Sequence, residues 1–137
     1  MTVWILYNYD GVVDGVFTAT AKAKKDEQLF GEALSRRALN NDRITKEILE
    51  LRELRKPYIT EAELLLDAER TAKEAGDGVR LKAIRKQRKV LLKQADHLTY
   101  DIKRREDVLL AAQRMTRAEI LDRYSTEYYW EEYDINE

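Results

Sequence analysis

The chain has 137 residues, no cysteine and one histidine, and its 25 Lys and Arg nearly balance its 26 Asp and Glu. This length suits one domain with its own hydrophobic core. The lack of thiols excludes disulfides, cysteine nucleophiles and thiolate metal sites, and it favours a reducing, cytoplasmic compartment. Charge is unevenly placed, with ten Lys/Arg against two Asp from Arg80 to Arg105, and seven acids against one Arg from Glu119 to Glu137.

The first twenty residues predict a β-hairpin. The segment TVWILYNY is β-branched and aromatic, and the following DGVVDGVFTA contains two Asp-Gly steps that favour the positive φ of tight turns. A helix is expected from about Ala21, with Thr18 or Thr20 as its N-cap. The apolar start has no basic region and no long apolar run, so we expect neither a signal peptide nor a membrane span.

Two helical segments are predicted next. The first runs from about Ala21 to Lys56, because Pro57 disfavours helix at the residue before it. The second opens at Thr60, where TEAE matches the capping box. The sequence GDG at 76–78 is expected to end it.

A third helical segment, about 79–115, carries a seven-residue repeat. Two positions of each repeat are apolar, and they are filled by Leu81, Ile84, Leu91, Ala95, Leu98, Ile102 and Leu109. Arg88 and Arg105 interrupt this pattern. At about 1.5 Å per residue this helix is about 55 Å long, so we expect an elongated antiparallel helical hairpin or bundle. A short helix at 116–124 follows, where TRAE repeats the capping box.

The side chains of the final segment, 126–137, alternate with the two-residue period of a strand that has one more solvent-exposed face. A two-stranded hairpin alone is marginal in water, so we expect this segment to pair with the N-terminal hairpin. The predicted fold class is α+β and predominantly α. A small antiparallel sheet, formed by 1–20 and 126–137, carries the helical residues 21–115 as a long insertion within one domain.

Residues suited to catalysis are sparse. The five glycines form neither a dinucleotide-binding nor a phosphate-loop pattern. His97 has neither thiols nor facing carboxylates to complete a metal site. Ser35 and Ser125 have no histidine partner, and the acid pairs suit helix first turns or a solvated tail. We therefore expect no catalytic residues, no metal and no cofactor.

The basic third helical segment is the first candidate binding surface. Its cations suit a phosphate backbone or a smaller anion. The competing interpretation is a solvated coiled-coil flank that pairs with acids of the first helix, such as Glu47, Glu50 and Glu53. The candidate residues are Arg80, Arg85, Lys86, Lys89 and Lys93.

Aromatic residues of the predicted sheet are the second candidate. Some must pack against the helices, while the rest leave an apolar outer patch typical of an oligomer or partner interface. Tyr129 and Trp130 are the candidate binding residues among them. The full set is Trp4, Tyr7, Tyr9, Phe17, Tyr128, Tyr129, Trp130 and Tyr133.

The opening VWILYNYDGVVDGVFTATAKAKK and the tyrosine-rich acidic end resemble small bacteriophage-encoded accessory proteins, including the anti-Thoeris sponge proteins. The likeness covers about residues 1–25 and 128–137 and rests on DGVFTATAKA and the tail. The resemblance implies sequestration of a host nucleotide signal in pockets between subunits. The long helical insertion departs from that outline, so no binding residue is carried over.

These observations favour a non-enzymatic binding protein. We expect a homo-oligomer in the host cytoplasm that sequesters or occupies a host protein or a nucleotide-like anion, with no membrane partner. The alternative is a nucleic-acid-binding protein that uses residues 80–105 and binds more weakly as salt rises. An enzyme is the third hypothesis, for which the sequence indicates no substrate.

Overall fold

A computed structural model describes residues 1–125 and 128–135. Its elements in chain order are β1 (Thr2–Tyr7), β2 (Val13–Phe17), α1 (Ala19–Glu74), α2 (Gly78–Gln113), α3 (Arg117–Tyr124) and β3 (Tyr129–Asp134). The predicted fold class is confirmed, since a small antiparallel sheet accompanies two long helices that pack against each other. Residues 126, 127, 136 and 137 of the predicted last strand lie outside the described residues.

The chain divides into two compact units. The sheet unit comprises Met1–Asp42 and Ala111–Glu137, and it holds the three strands, the start of α1 and α3. The hairpin unit comprises Arg43–Leu110, and it holds the rest of α1 and most of α2. The expectation of a single domain stays a prediction.

The sheet has the order β2-β1-β3, with both pairings antiparallel. The predicted pairing of the C-terminal strand with the N-terminal hairpin is therefore confirmed, and it places Leu6 opposite Trp130. Backbone bonds between Met1 and Ile135 extend this ladder beyond the strands, with the Ile135 N–H donating to the Met1 carbonyl at 2.7 Å. The central strand is thus paired along both edges.

Asn8 and Gly11 form the turn between β1 and β2. The Asn8 side-chain oxygen accepts hydrogen bonds from the backbone N–H groups of Asp10 and Val12, at 3.0 and 3.1 Å. Gly11 has φ +76°, which only glycine adopts at little cost. The first Asp-Gly step therefore makes the turn, whereas Gly15 of the second step lies inside β2 without a positive φ.

Two tryptophans attach the sheet to the first turns of α1. The Trp130 indole N–H donates to one Asp26 oxygen at 2.8 Å, and the other oxygen pairs with the Lys22 ammonium at 2.7 Å. That ammonium lies 4.6 Å from the ring centre of Trp4 and 5.1 Å from that of Trp130. We call Trp4, Lys22, Asp26 and Trp130 the indole cluster.

Helix α3 completes the sheet unit. The Thr116 hydroxyl accepts a hydrogen bond from the Glu119 backbone N–H at 3.3 Å, which confirms the N-cap half of the predicted capping box, and it donates to the Glu119 carboxylate at 3.1 Å. Arg36 of α1 donates to the carbonyl of Tyr124 at 2.9 Å, close to the end of α3. The buried apolar side chains of this unit are Leu6, Leu29, Ala33, Ala112 and Ile120.

The predicted break at Pro57 is wrong, because α1 is one continuous helix of 56 residues with Pro57 inside it. A proline within a helix removes one backbone donor and crowds the preceding turn, at a cost of about 3 kcal/mol. The apolar spacing continues past it, through the half-buried Tyr58 and the buried Ala62. Packing against α2 outweighs the local penalty, and the TEAE sequence from Thr60 lies mid-helix and caps nothing.

The two long helices of the hairpin unit pack along a heptad seam. The seven-residue repeat predicted for α2 is confirmed, because its apolar positions and the two interrupting arginines are all buried or half-buried. Residues of α1 with the same alternating spacing of three and four face them, and Ile44, Ile48 and Ile102 form the buried centre. The α1 side of the seam consists of Ile44, Ile48, Leu51, Arg55, Tyr58, Ala62, Leu65, Glu69 and Ala72.

Gly76 and Asp77 join the two helices, which confirms the stop predicted at GDG. Gly76 has φ +68°, and the Gly76 and Asp77 N–H groups donate to Lys73 and Ala72 carbonyls at 3.2 and 3.0 Å. The Asp77 carboxylate then accepts from the backbone N–H of Arg80 at 3.1 Å, as an N-cap of α2 does. Gly76 therefore ends α1, and Asp77 caps the start of α2.

Candidate anion-binding surface

Five exposed cations form a line on the outer face of α2 in the hairpin unit. At 3.6 residues per turn their spacing places them within an arc of about 100° and along about 17 Å of helix. The seam residues of α2 are centred about 150° from the four lysines, so packing against α1 directs the lysines outward, while Arg85 lies at the edge nearest the seam. We call this set the cationic stripe, and it consists of Lys82, Arg85, Lys86, Lys89 and Lys93.

Glu69 of α1 binds two arginines at this end of the hairpin. Its carboxylate accepts from Arg85 Nε at 2.8 Å and from Arg88 Nη1 at 2.6 Å. The hydrogen bond from Arg85 is the main cause that lowers the pKa of Glu69, and the charges of Arg88, Arg85 and Lys73 act in the same direction. Arg88 occupies a half-buried seam position, whereas the Arg85 side chain stays 55% exposed.

The four lysines of the stripe have no such partner. Among the described residues, none of Lys82, Lys86, Lys89 and Lys93 forms an ion pair or a side-chain hydrogen bond. Exposed lysines without partners keep their charge available to a ligand. The stripe therefore presents four uncompensated positive charges in a row, plus the partly compensated Arg85.

The pairing expected between α2 and acids of α1 is found for one of the three residues named. Glu47 pairs with Arg105 at 3.0 Å, and Arg105 lies on the heptad seam. Glu50 and Glu53 form no ion pair within the described part of the chain. The ion pairs that form between the two helices involve residues of the seam and its edge. None of these pairs between described residues includes a lysine of the outer face of α2.

The structure separates Arg80 from the other predicted cations and adds Lys82 to them. Two residues along a helix correspond to about 200°, so Arg80 projects about 160° away from Lys82 around α2. The cations predicted from the sequence were grouped without regard to their angle around the helix. The three- and four-residue steps from Lys82 to Arg85 and Lys86 were the signal that would have identified the stripe.

A shallow concavity of about 530 Å³ lies along this surface. All the described residues that line it belong to α2, so no second described element forms an opposing wall. Its lining combines the stripe's Arg85, Lys89 and Lys93 with Arg88, Leu92 and Asp96. The surface suits a ligand that lies along a helix.

Tyr129 and Trp130, the predicted aromatic candidates, lie in the sheet unit and point to opposite faces of β3. Trp130 is half-buried in the indole cluster, and its ring meets Phe17 edge to face at 5.3 Å. Tyr129 is 50% exposed and stacks on Tyr7 at 5.0 Å. Trp130 therefore has a packing role, while Tyr129 is available on the surface.

The sheet face that carries Tyr7 has several exposed apolar and aromatic side chains, with the charged Glu131 among them. Hydrogen bonding with Tyr133, followed by burial and hydrogen bonding with Glu131, raises the pKa of Tyr7 to about 12. The exposed apolar side chains that alternate onto this face include Val16, Tyr129 and Tyr133.

Within residues 1–125 and 128–135, no three His, Asp or Glu side chains gather where a metal ion could bind. None of the helices in that part of the chain is both long and apolar enough to cross a membrane. No protein-family model matches the chain, and no curated protein or solved structure shows significant similarity to it.

Proposed function

We propose that the chain is a binding protein that holds an extended polyanion along the cationic stripe, and that nucleic acid is the ligand class it fits best. The observation that carries this proposal is the row of four lysines without partners, together with Arg85, on one outward face of α2. Such a row neutralises successive phosphates and releases their counterions.

The shape of the surface favours an extended ligand over a small one. Small-molecule sites are concave and enclose most of the ligand, whereas the stripe and its concavity belong to a single helix. Lysines are flexible point charges that contact phosphates without selecting a base. The proposed binding is therefore largely independent of nucleotide sequence.

A nucleotide-like small anion is the second candidate. The concavity brings together Arg85, Lys89 and Lys93, beside the apolar surface of Leu92. With Arg88 the described lining holds four cations against the carboxylate of Asp96, and a net positive surface beside an apolar side chain suits a phosphate group attached to a base. Sequestration of a host factor, the wider role expected from the sequence, is compatible with either ligand.

The test compares two variants that each lose four positive charges. The stripe variant carries Lys82→Gln, Lys86→Gln, Lys89→Gln and Lys93→Gln, and the matched control carries Lys24→Gln, Lys46→Gln, Lys56→Gln and Lys103→Gln at exposed positions elsewhere. Fluorescence anisotropy with single-stranded and duplex oligonucleotides is measured over a range of salt. About four phosphate contacts predict a slope of roughly −4 in log K against log salt for duplex.

The stripe variant should lose at least tenfold in affinity at low salt, and the control should keep most of its affinity. Equal losses in the two variants would contradict the stripe and indicate an effect of net charge alone. If the unmodified protein binds no oligonucleotide at low salt, the polyanion proposal fails. Binding of a nucleoside triphosphate alone would then support the second candidate.

A further inference from the structure

A second concavity, of about 650 Å³, lies in the sheet unit. Tyrosines at positions 9, 128 and 129 line it, together with Ala118 and Leu121 of α3 and the carboxylate of Asp122. We call it the tyrosine cup. Its lining contains no Lys or Arg among the described residues, so its character is opposite to that of the cationic stripe.

Three separate elements build the cup. Ala118, Leu121 and Asp122 are three and four residues apart and share one face of α3, while Ile120 is buried and fixes the helix against the unit. Tyr9 comes from the turn that the Asn8 side chain closes. The Tyr9 ring therefore projects from a turn that local hydrogen bonds hold in place.

The third wall is also fixed before any ligand arrives. Tyr129 stacks on Tyr7, with an angle of 11° between the ring planes. Tyr128 precedes it and is half-buried. A ring held by stacking loses little side-chain entropy on binding, which favours affinity.

The chemistry of the lining selects for positive charge. The faces of aromatic rings carry a negative electrostatic potential that attracts ammonium groups within about 6 Å of the ring centre. Among the described lining residues, Asp122 alone carries a formal charge, and it is exposed. The Ser125 hydroxyl donates to the Leu121 carbonyl, so toward the cup it offers only acceptor lone pairs.

We propose that the tyrosine cup binds a small organic cation with a quaternary or alkylammonium group. The ammonium group lies among the three tyrosine rings, near the Asp122 carboxylate, and the alkyl part contacts Ala118 and Leu121. The volume falls within the usual range of small-ligand sites, about 300 to 1,000 Å³. This site is independent of the proposed polyanion binding, because it belongs to the other unit and selects the opposite charge.

The first experiment compares choline with 3,3-dimethylbutan-1-ol, which has the same shape without the charge. Each is titrated into the full chain, and affinity is measured by calorimetry and by saturation transfer from the tyrosine ring protons. We expect choline to bind at least tenfold more tightly than the neutral alcohol, because ring faces and a carboxylate both favour the cation. Equal affinities, or no binding of choline at millimolar concentration, would overturn the proposal.

Variants then assign the binding to the cup. Asp122→Asn should weaken choline binding about three- to tenfold, and Tyr128→Leu should weaken it at least as much. Asp107→Asn, which removes the same charge from an exposed position of α2, should leave the affinity unchanged. An Asp122→Asn variant that binds choline as the unmodified chain does would refute the cup as the site.

A trimethyllysine peptide distinguishes a free ligand from a protein side chain. The proposal expects it to bind no more tightly than choline, because the cup recognises the ammonium head. Affinity at least tenfold higher for the peptide would overturn the small-molecule assignment. Amide spectra of the Tyr128→Leu variant check its fold, and Asp122→Asn, at an exposed helix position, tests the site without disturbing the core.

Discussion

The contacts within the hairpin unit differ in kind from the contacts within the sheet unit. Along the hairpin, a heptad repeat supplies a small apolar contact at every turn, and charged pairs such as Glu47 with Arg105 lie between them. In the sheet unit, a few contacts join distant parts of the sequence, as Trp130 and Asp26 do across 104 residues. Many similar contacts therefore stabilise the hairpin unit, whereas a few specific contacts stabilise the sheet unit.

The largest expected effect is on the buried centre of the hairpin. Ile48→Ala removes a side chain that is 5% exposed and leaves a cavity beside Ile44 and Ile102, so the free energy of unfolding should fall by about 3 kcal/mol. Leu49→Ala is the matched control, because Leu49 is adjacent in sequence but 55% exposed. Urea denaturation followed by circular dichroism measures both. Similar losses in the two variants would contradict the heptad seam.

A smaller effect is expected when one hydrogen bond of the indole cluster is removed. Trp130→Phe keeps a ring against Lys22 but leaves one Asp26 oxygen without its donor, so the sheet unit should lose about 1 to 2 kcal/mol. Amide hydrogen exchange in β1 and β3 should rise, while exchange in 44–65 of α1 stays unchanged. Equal acceleration in both units would show that they unfold together, and it would remove the contrast between them.

Acid should destabilise the hairpin unit, because protonation of Glu69 weakens its pairing with Arg85 and Arg88. Its pKa is lowered in the folded chain, so the ionised carboxylate contributes stability above the usual value of 4.5 and loses it as pH falls through the folded pKa. The difference in melting temperature between the unmodified chain and Glu69→Gln should be constant near neutral pH and shrink below pH 4.5. A difference that does not change with pH would exclude the ion pairs as its cause.

The sheet unit should respond at the opposite end of the pH range, with the smallest effect. The pKa of Tyr7 is raised from 10.0 to about 12, so the fold favours the neutral phenol. Its contribution is fully present below pH 10 and is lost as pH rises toward 12. In Tyr7→Phe this alkaline loss should disappear from thermal melts, and Tyr9→Phe serves as the control because Tyr9 is 71% exposed.

Local sequence patterns predicted the elements that have local causes. The Asp-Gly turn at Gly11, the helix end at Gly76 and the N-cap at Thr116 each depend on residues within a few positions of one another. The repeat in α2 also predicted a helical partner, because a seven-residue apolar period requires a second helix. The strand at Tyr129–Asp134 followed from alternation and from the need for a third strand.

The candidate sites were predictable only in part. The sequence pointed to four of the five stripe residues, and it grouped Arg80 with them because sequence order was not converted into helical angle. The tyrosine cup was not predicted, since Tyr9, Asp122 and Tyr128 come from three elements that only the folded chain brings together. The packing role of Trp130 was likewise hidden, because its partner Asp26 lies in α1.

The sequence by itself determined the strands, the turns, the ends of α2 and the heptad period, because each is a matter of short-range sterics or of regular spacing. Tertiary structure alone decided that α1 continues through Pro57, because the cost of a proline is local whereas the gain from packing accumulates along the whole seam. It also decided which cations stay free of partners, because Glu69 of α1 binds Arg85 and Arg88 and leaves the lysines beside them exposed.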